Sequence, residues 1–263
     1  MIGVPGRWLA NMRDRAVQGF SSLLIGVPPE CAICRAKIPG RATNPLGLCG
    51  GCFRKIPWIA DIVCDICGRY EACPDCRRRV DTAFVRNRSA VRYDDTMREW
   101  LALFKYRGDE RLLELFAGML MVAYRKHGER VQDGMRKRPF DIITYVLLSA
   151  QRLAERGFNQ AELLAVRLGR LTGVRVAPLL VRTRHTPKQS VNKRADRLSN
   201  LENAFAVDEA SAAELLRLAG PAGLRHIAVV DDVYTTGTTL QHCSRLIQEQ
   251  LPGTALYGLT WAR

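Results

Sequence analysis

Eleven residues, Val229–Thr239, read VVDDVYTTGTT. The apolar run HIAVV ends in two adjacent carboxylates, Asp231 and Asp232, and passes at once into threonines set about Gly237. Neighbouring acids at a strand end repel each other, and a Thr-rich turn has little to pack, so the stretch makes sense only with a ligand. A turn that opens a helix offers backbone N–H groups to an anion. Thr235, Thr236, Thr238 and Thr239 add hydroxyl donors, and Gly237 lets the backbone approach closely. The two acids can accept hydrogen bonds from a vicinal diol. A ribose 5-phosphate satisfies both halves, its hydroxyls on Asp231 and Asp232 and its phosphate in the Thr235–Thr239 turn. The plainer alternative is a strand-to-helix turn with an acidic cap. Two acids followed by the whole Thr-Thr-Gly-Thr run speak against that alternative. Tyr234 either stacks on a base or shields the turn.

The second chemical pattern is C-x2-C, repeated as Cys31/Cys34, Cys49/Cys52, Cys64/Cys67 and Cys73/Cys76. A two-residue gap lets both thiolates of a tight turn face one metal, and two such turns complete a tetrahedral zinc shell. CAIC, CGGC, CDIC and CPDC carry the small or turn-forming residues these knuckles need. Sequential pairing gives Cys31, Cys34, Cys49 and Cys52 one zinc and Cys64, Cys67, Cys73 and Cys76 another; a crossed arrangement stays open. Four thiolates leave no position for water, so both zinc ions are read as structural, supplying folding energy where apolar core is scarce. Cys243 stands apart in a helical pattern and reads as a buried small hydrophobe.

These residues need a scaffold. With 263 residues, 47% of them hydrophobic, the chain can bury one good core and a smaller module. From Phe140 onward FDIITYVLL, VRVAPLL, AFAV, HIAVVDD and ALYGLTW read as strands. NQAELLAVRLGRLTG, ASAAELLRLAG and TTLQHCSRLIQEQL lie between them as helices. That alternation predicts an α/β fold, a mainly parallel sheet flanked by helices, with ligands beyond the carboxyl ends of its strands. Upstream, DTAFVRNRSAVRYDD alternates like a strand pair, followed by the amphipathic helices TMREWLALFKYRG and DERLLELFAGMLMVAYRKHG. The organisation expected is an amphipathic helix over 1–27, a double zinc ribbon over 28–80 and an α/β domain over 81–263. Within that domain, 81–138 carries the strand pair and helices and 139–263 the core.

The first segment has Arg13, Asp14 and Arg15 inside its apolar stretch and no run of about 18 apolar residues, so neither a leader nor membrane insertion is expected. Cytoplasmic residence is the expectation. A net charge of +14 points to a polyanionic partner, nucleic acid or phosphorylated small molecules. Phe53, Trp58 and Tyr70 in the cysteine-rich region either stack on bases or pack against a small zinc core.

The acid pair and Thr-Gly turn resemble the phosphoribosyl pyrophosphate (PRPP) motif of type I phosphoribosyltransferases. The resemblance implies Asp231 and Asp232 on the ribose, Thr235, Thr236, Gly237, Thr238 and Thr239 around the 5-phosphate, and Mg2+ bridging pyrophosphate and ribose. A wider pattern joins it: RLAERGFNQAELLA at Arg152–Ala165, RTRHTPKQSVNKRADRLSNLENAF carrying Arg182, Thr186, Gln189, Arg197, Asn200 and Phe205, and FKYRGD before a long helix. Together with the double zinc ribbon, these resemble the ComF/GntX competence-associated family. The likeness implies a role in DNA uptake or utilisation, single-stranded DNA contact through ribbon and basic surface, and a DNA-uptake helicase as partner. One departure is YVLLS at Tyr145–Ser149, where the family usually carries a Pro-Val-Pro-like run that handles pyrophosphate. Arg156 and Arg152 are the cations expected to take over the pyrophosphate, Arg156 as a catalytic residue beside the two acids, with Lys105 and Arg107 from another element. Asn159 is expected to cap the next helix and Gln160 to face the ligand; His185 reads as an exposed loop residue. The alternative to a binding and uptake role is an active, Mg-dependent transferase passing the phosphoribosyl group to a nitrogen acceptor.

Overall fold

The computed structural model describes residues 30–38, 44–79, 81–107, 110–128, 138–182, 204–220 and 223–263. The helix expected over 1–27 and the residues His185, Thr186, Gln189, Arg197 and Asn200 lie outside that set. The chain divides into two compact units, Met1–Arg54 and Lys55–Arg263.

In the first unit, a cysteine turn and a short helix, α1 (Gly50–Arg54), follow each other. The Cys31 amide donates to Ala36 O at 2.9 Å, closing the first knuckle, and the Phe53 amide donates to Cys49 O at 2.9 Å in the second. Asn44 braces the link between them. Its Oδ1 accepts from the amides of Leu46 and Leu48 at 3.2 and 3.3 Å, an arrangement open to a short polar side chain that mimics backbone.

The second unit is built on a five-stranded, all-parallel sheet. Its strands are β1 (Arg86–Val91), β2 (Ile142–Tyr145), β3 (Arg175–Val176), β6 (His226–Val233) and β7 (Ala255–Ala262), in the order β1-β7-β6-β2-β3. A separate antiparallel hairpin pairs β4 (Leu180–Arg182) with β5 (Phe205–Val207). Around the sheet lie α2 (Pro74–Arg77), α3 (Asp95–Arg107), α4 (Glu110–Gly128), α5 (Ala150–Arg156), α6 (Gln160–Thr172), α7 (Glu209–Ala219) and α8 (Thr238–Gln250). The expected mainly parallel sheet with flanking helices is the architecture observed. The chain runs outward from β2 to β3, then returns to the other side of β2 with β6 and continues to β7. The order therefore reverses between β2 and β6, which makes their carboxyl ends a topological switch point.

Side-chain alternation explains the layers. On β7, Tyr257, Leu259 and Trp261 face α4, whose Leu112, Leu115, Phe116, Met119 and Ala123 form one buried stripe. Trp261 is fully buried, stacks on Phe116 with 4.2 Å between centroids, and donates its indole N–H to Met119 Sδ. On the opposite face, Ile227 and Val229 of β6 join Leu240, Cys243 and Ile247 of α8 and three of the cysteines, Cys67, Cys73 and Cys76. Cys243 is fully buried there, as its pattern suggested. Gly258 of β7 allows the close approach: a Cβ would stand 2.3 Å from Leu240 and 2.5 Å from the Asn87 side chain.

Two expectations fail locally. The strand pair read over 81–95 is the single strand β1, parallel to β7 and buried along nearly all its length. Its polar positions are paired inside the protein: the Asn87 amide group donates to Ser89 Oγ and Cys67 O, and Ser89 and Thr260 share a 2.6 Å hydroxyl contact. VRVAPLL is two strands, not one. Pro178, which has no amide to donate, separates β3 from β4, and β4 leaves the main sheet for the hairpin.

Replacing Trp261 by Ala removes the largest buried side chain of the α4 face, and urea denaturation is expected to register a loss of about 3–5 kcal/mol.

Candidate functional site

The strand β6 is buried through Val230 and opens at Asp231 and Asp232, so both acids emerge at the switch point. Each carboxylate takes one backbone donor from the residue that follows: the Asp232 amide donates to Asp231 Oδ1 at 2.8 Å, and the Val233 amide to Asp232 Oδ1 at 2.7 Å. Lys105 of α3 completes Asp232, with Nζ 2.9 Å from Oδ2 and both side chains about one-fifth exposed. Asp231 lines the recess. Burial, and next the carboxylate of Asp232, raise its pKa well above the ordinary range, while Lys105 pulls the other way.

Beyond the acids, Tyr234 turns inward and Thr235 and Thr236 turn out. Gly237 caps α8 with φ of 78°, and a Cβ there would stand 2.1 Å from the Tyr234 hydroxyl, so the turn wraps tightly over that phenol and only glycine fits. A glycine cap offers no side-chain acceptor, which leaves the first amides of α8 for another partner. The hydroxyls of Thr236 and Thr238 lie 2.8 Å apart at the mouth. Val146, Asp231, Thr235, Gly237, Thr238, Thr239 and Thr260 are among the residues that line a recess of about 330 Å³, open to solvent. That size lies at the low end for a small-molecule site.

The segment after β2 closes the other side. The Val146 amide donates to Val230 O at 3.0 Å, and Asn159 Nδ2 donates to Val146 O at 3.0 Å. Asn159 is also the expected cap, its Oδ1 accepting from the Ala161 amide. Gln160 is a correction: it is buried, 1% exposed, with Oε1 accepting from Arg156 Nη1 at 3.0 Å, so it supports the loop from below and does not face a ligand. Arg156 and Arg152 sit on α5, the former half-buried against Gln160 and the latter exposed. Neither lines the recess as it stands; Lys105 is the expected cation that the fold brings onto the acids. Arg107 ends α3.

Two arginines join the surroundings that sequence reasoning had not placed at the site. Arg182 stacks over Phe205 at 4.9 Å beside α8, its pKa lowered by burial and then by the nearby Arg152. Arg79 Nη2 donates to the carbonyl of Thr236. The signal for Arg182 was its place in the family-like segment; the run CRRR gave Arg79 no distinguishing mark beyond its charge.

The cysteines assemble sequentially. Cys31, Cys34, Cys49 and Cys52 form one group in the first unit, and Cys64, Cys67, Cys73 and Cys76 another in the second. All four Sγ atoms of each group lie within 4.8 Å of one another, close to the roughly 3.8 Å edges of a tetrahedron with Zn–S bonds of about 2.3 Å. Burial works against the Cys31 thiolate, but backbone donors led by Cys49 outweigh it and lower the pKa to about 6, whereas burial pushes Cys52 up. Only a cation of high charge holds four such thiolates together, and these donors fit zinc.

A parallel sheet with an acid pair and a Thr-Gly turn at its switch point, set beside two four-cysteine knuckles, defines a phosphoribosyltransferase-like α/β protein with zinc-binding modules. No family model matches the chain. Competence protein ComFC of Bacillus subtilis is 31% identical over 225 residues, 82% of this chain and 84% of that protein. Competence protein F of Haemophilus influenzae is 30% identical over 226 residues, 84% and 91% of the two chains. The chain belongs to this ComFC/competence protein F family. Among solved structures, adenine phosphoribosyltransferase of Saccharomyces cerevisiae aligns over 56% of this chain and 68% of its own, at 19% identity and a TM-score of 0.31.

Because burial raises the folded-state pKa of Asp231, ionising this carboxyl costs stability once pH exceeds its unfolded value of about 3.9. Asp231→Asn is therefore expected to melt higher than the unmodified protein at neutral pH. The gap should close as pH falls below about 4, as thermal denaturation across a pH series will register.

Proposed function

We propose that this chain serves in DNA uptake and that the recess at the switch point binds PRPP or a related ribose phosphate. The carrying observation is the carboxylate pair Asp231–Asp232, held by Lys105, beside a helix start that glycine leaves uncapped. Ribose hydroxyls would meet the acids, and the 5-phosphate the amides and hydroxyls of Thr235–Thr239. The oxygen donors present suit Mg2+, which takes most of its ligands from substrate phosphates and water. When bound, that ion would neutralise charge on the pyrophosphate. Lys105, Arg152 and Arg156 are the protein's own cations for the same group, and the competence relatives make DNA uptake the setting.

Transfer to a nitrogen acceptor is the second reading. It is favoured by Asp231, a carboxyl that burial keeps protonated close to where an anomeric carbon would lie. Cytoplasmic residence and a DNA-uptake helicase partner go with the first reading. Among the described residues no helix is long and apolar enough to cross a membrane.

Single-stranded DNA is proposed as a partner of the basic surface. Tyr70 and Phe53 are each 38% exposed, and Arg92 lies 5.2 Å from the Tyr70 ring, an arrangement that can stack on bases. Trp58 is half-buried and bridges to Val91 of β1, which makes it a packing residue.

Calorimetric titration with Mg2+ and PRPP is expected to show saturable binding in the unmodified chain and none in the Asp231→Asn/Asp232→Asn double variant. Folded, zinc-replete protein that takes up no PRPP would overturn the ligand assignment. Fluorescence anisotropy with a labelled oligonucleotide tests the second partner. Affinity should fall steeply with salt, with a log–log slope of roughly −0.7 per phosphate contact. A salt-independent signal would refute binding through the basic surface.

A further inference from the structure

The knuckle Cys64–Cys76 and the threonine turn belong to the same compact unit and are tied together at several points. Arg79 lies three residues beyond Cys76. Its guanidinium donates to the Thr236 carbonyl and sits 5.8 Å from the Phe84 ring. On the other side, Arg263 Nη1 donates to the carbonyl of Cys67 at 3.2 Å while its guanidinium covers the Tyr234 ring at 4.9 Å. Tyr234 is the phenol over which Gly237 folds. The segment after Arg79 is fastened to α8: the Ala83 amide donates to Gln241 Oε1 at 3.0 Å, and Arg245 pairs with Asp81 at 3.2 Å.

The Thr236 carbonyl matters because of peptide geometry. In a trans peptide the C=O and the following N–H point in opposite directions. A cation that holds the Thr236 carbonyl on the knuckle side turns the Gly237 N–H away from the knuckle, and Gly237 lines the recess. An unrestrained peptide at a glycine can flip and present the carbonyl instead, which would repel an anion.

We propose that Arg79 is a positioning residue for the sugar-phosphate site, and that through it the metal state of the Cys64–Cys67–Cys73–Cys76 knuckle sets the affinity of the turn for phosphate. The inference rests on the reading of that turn as a sugar-phosphate site. The coupling is reciprocal: phosphate ligand on the turn must tighten the knuckle's hold on its zinc by the same factor.

The test compares the unmodified protein with Arg79→Met, which keeps the stem over Phe84 and loses the fork, and with Arg79→Lys, which keeps a charge. Arg217→Met, on the exposed side of α7, controls for net charge. Arg79→Met is expected to retain its zinc and to exchange the amides of residues 235–241 faster in the absence of ligand. It should also bind Mg2+–PRPP about tenfold or more weakly, the weight of one charge-assisted hydrogen bond. Arg79→Lys should recover part of both effects, and Arg217→Met should show neither. PRPP should slow the release of zinc to a chelator in the unmodified protein and not in Arg79→Met. Unchanged exchange and unchanged affinity in Arg79→Met overturn the proposal. Should the unmodified protein bind no PRPP, the sugar-phosphate reading fails with it. The amide-exchange comparison then still decides whether Arg79 holds the turn.

Discussion

Two carboxylates at the end of a buried strand are the constraint around which the second unit is arranged. A central parallel strand is apolar on both faces and gives its last residues no choice but to leave the core together. Asp231 and Asp232 leave it side by side, where burial and mutual repulsion both resist ionisation. The surroundings answer with one backbone donor for each acid and the ammonium of Lys105 for the second. What is left is a carboxyl with unused acceptor capacity beside a helix start with unused donors. The sheet order makes that conjunction possible. Only at the reversal between β2 and β6 does the chain leave a crevice instead of a covered loop.

The same constraint explains the packing on the knuckle face. A turn that must present amides outward cannot anchor itself through them, so it is held through its remaining groups: the Tyr234 ring below and the Thr236 carbonyl behind. Both anchors reach the cysteine knuckle. Zinc, read at first as a substitute for missing apolar core, thus stands within the wall that supports the site. Cys67, Cys73 and Cys76 share a continuous cluster with Leu240 and Ile247 of α8.

How much of this could be read from the chain depended on whether the signal was local. The acids, the Thr-Gly turn and the helix after it are contiguous, and a buried strand followed by glycine and threonine has few other meanings. The C-x2-C pairs carry their geometry in their spacing, although only folding distinguished sequential from crossed pairing. Non-local features were hidden. Asn87, Arg88 and Ser89 look solvent-facing in a strand, yet they are buried because Cys67, Asp65 and Thr260 supply their partners. Gln160 resembled a ligand-facing amide until its bond to Arg156 placed it beneath the loop. Arg79 was one arginine among many, and its significance lies in a carbonyl far along the chain.

The way the second knuckle meets β1 carries one more consequence. β1 is the outermost strand of its sheet, and the knuckle backbone lies along it: the Asn87 amide donates to Ile66 O at 2.7 Å, while Gly68 packs so close that a Cβ would stand 2.6 Å from Asn87 O. A strand edge with open amides and carbonyls is a template for pairing with other chains. The thiolate cluster is thus also a guard against self-association. Zinc starvation would strip that guard before it unfolds the sheet, turning a soluble protein into one that recruits its own copies edge to edge.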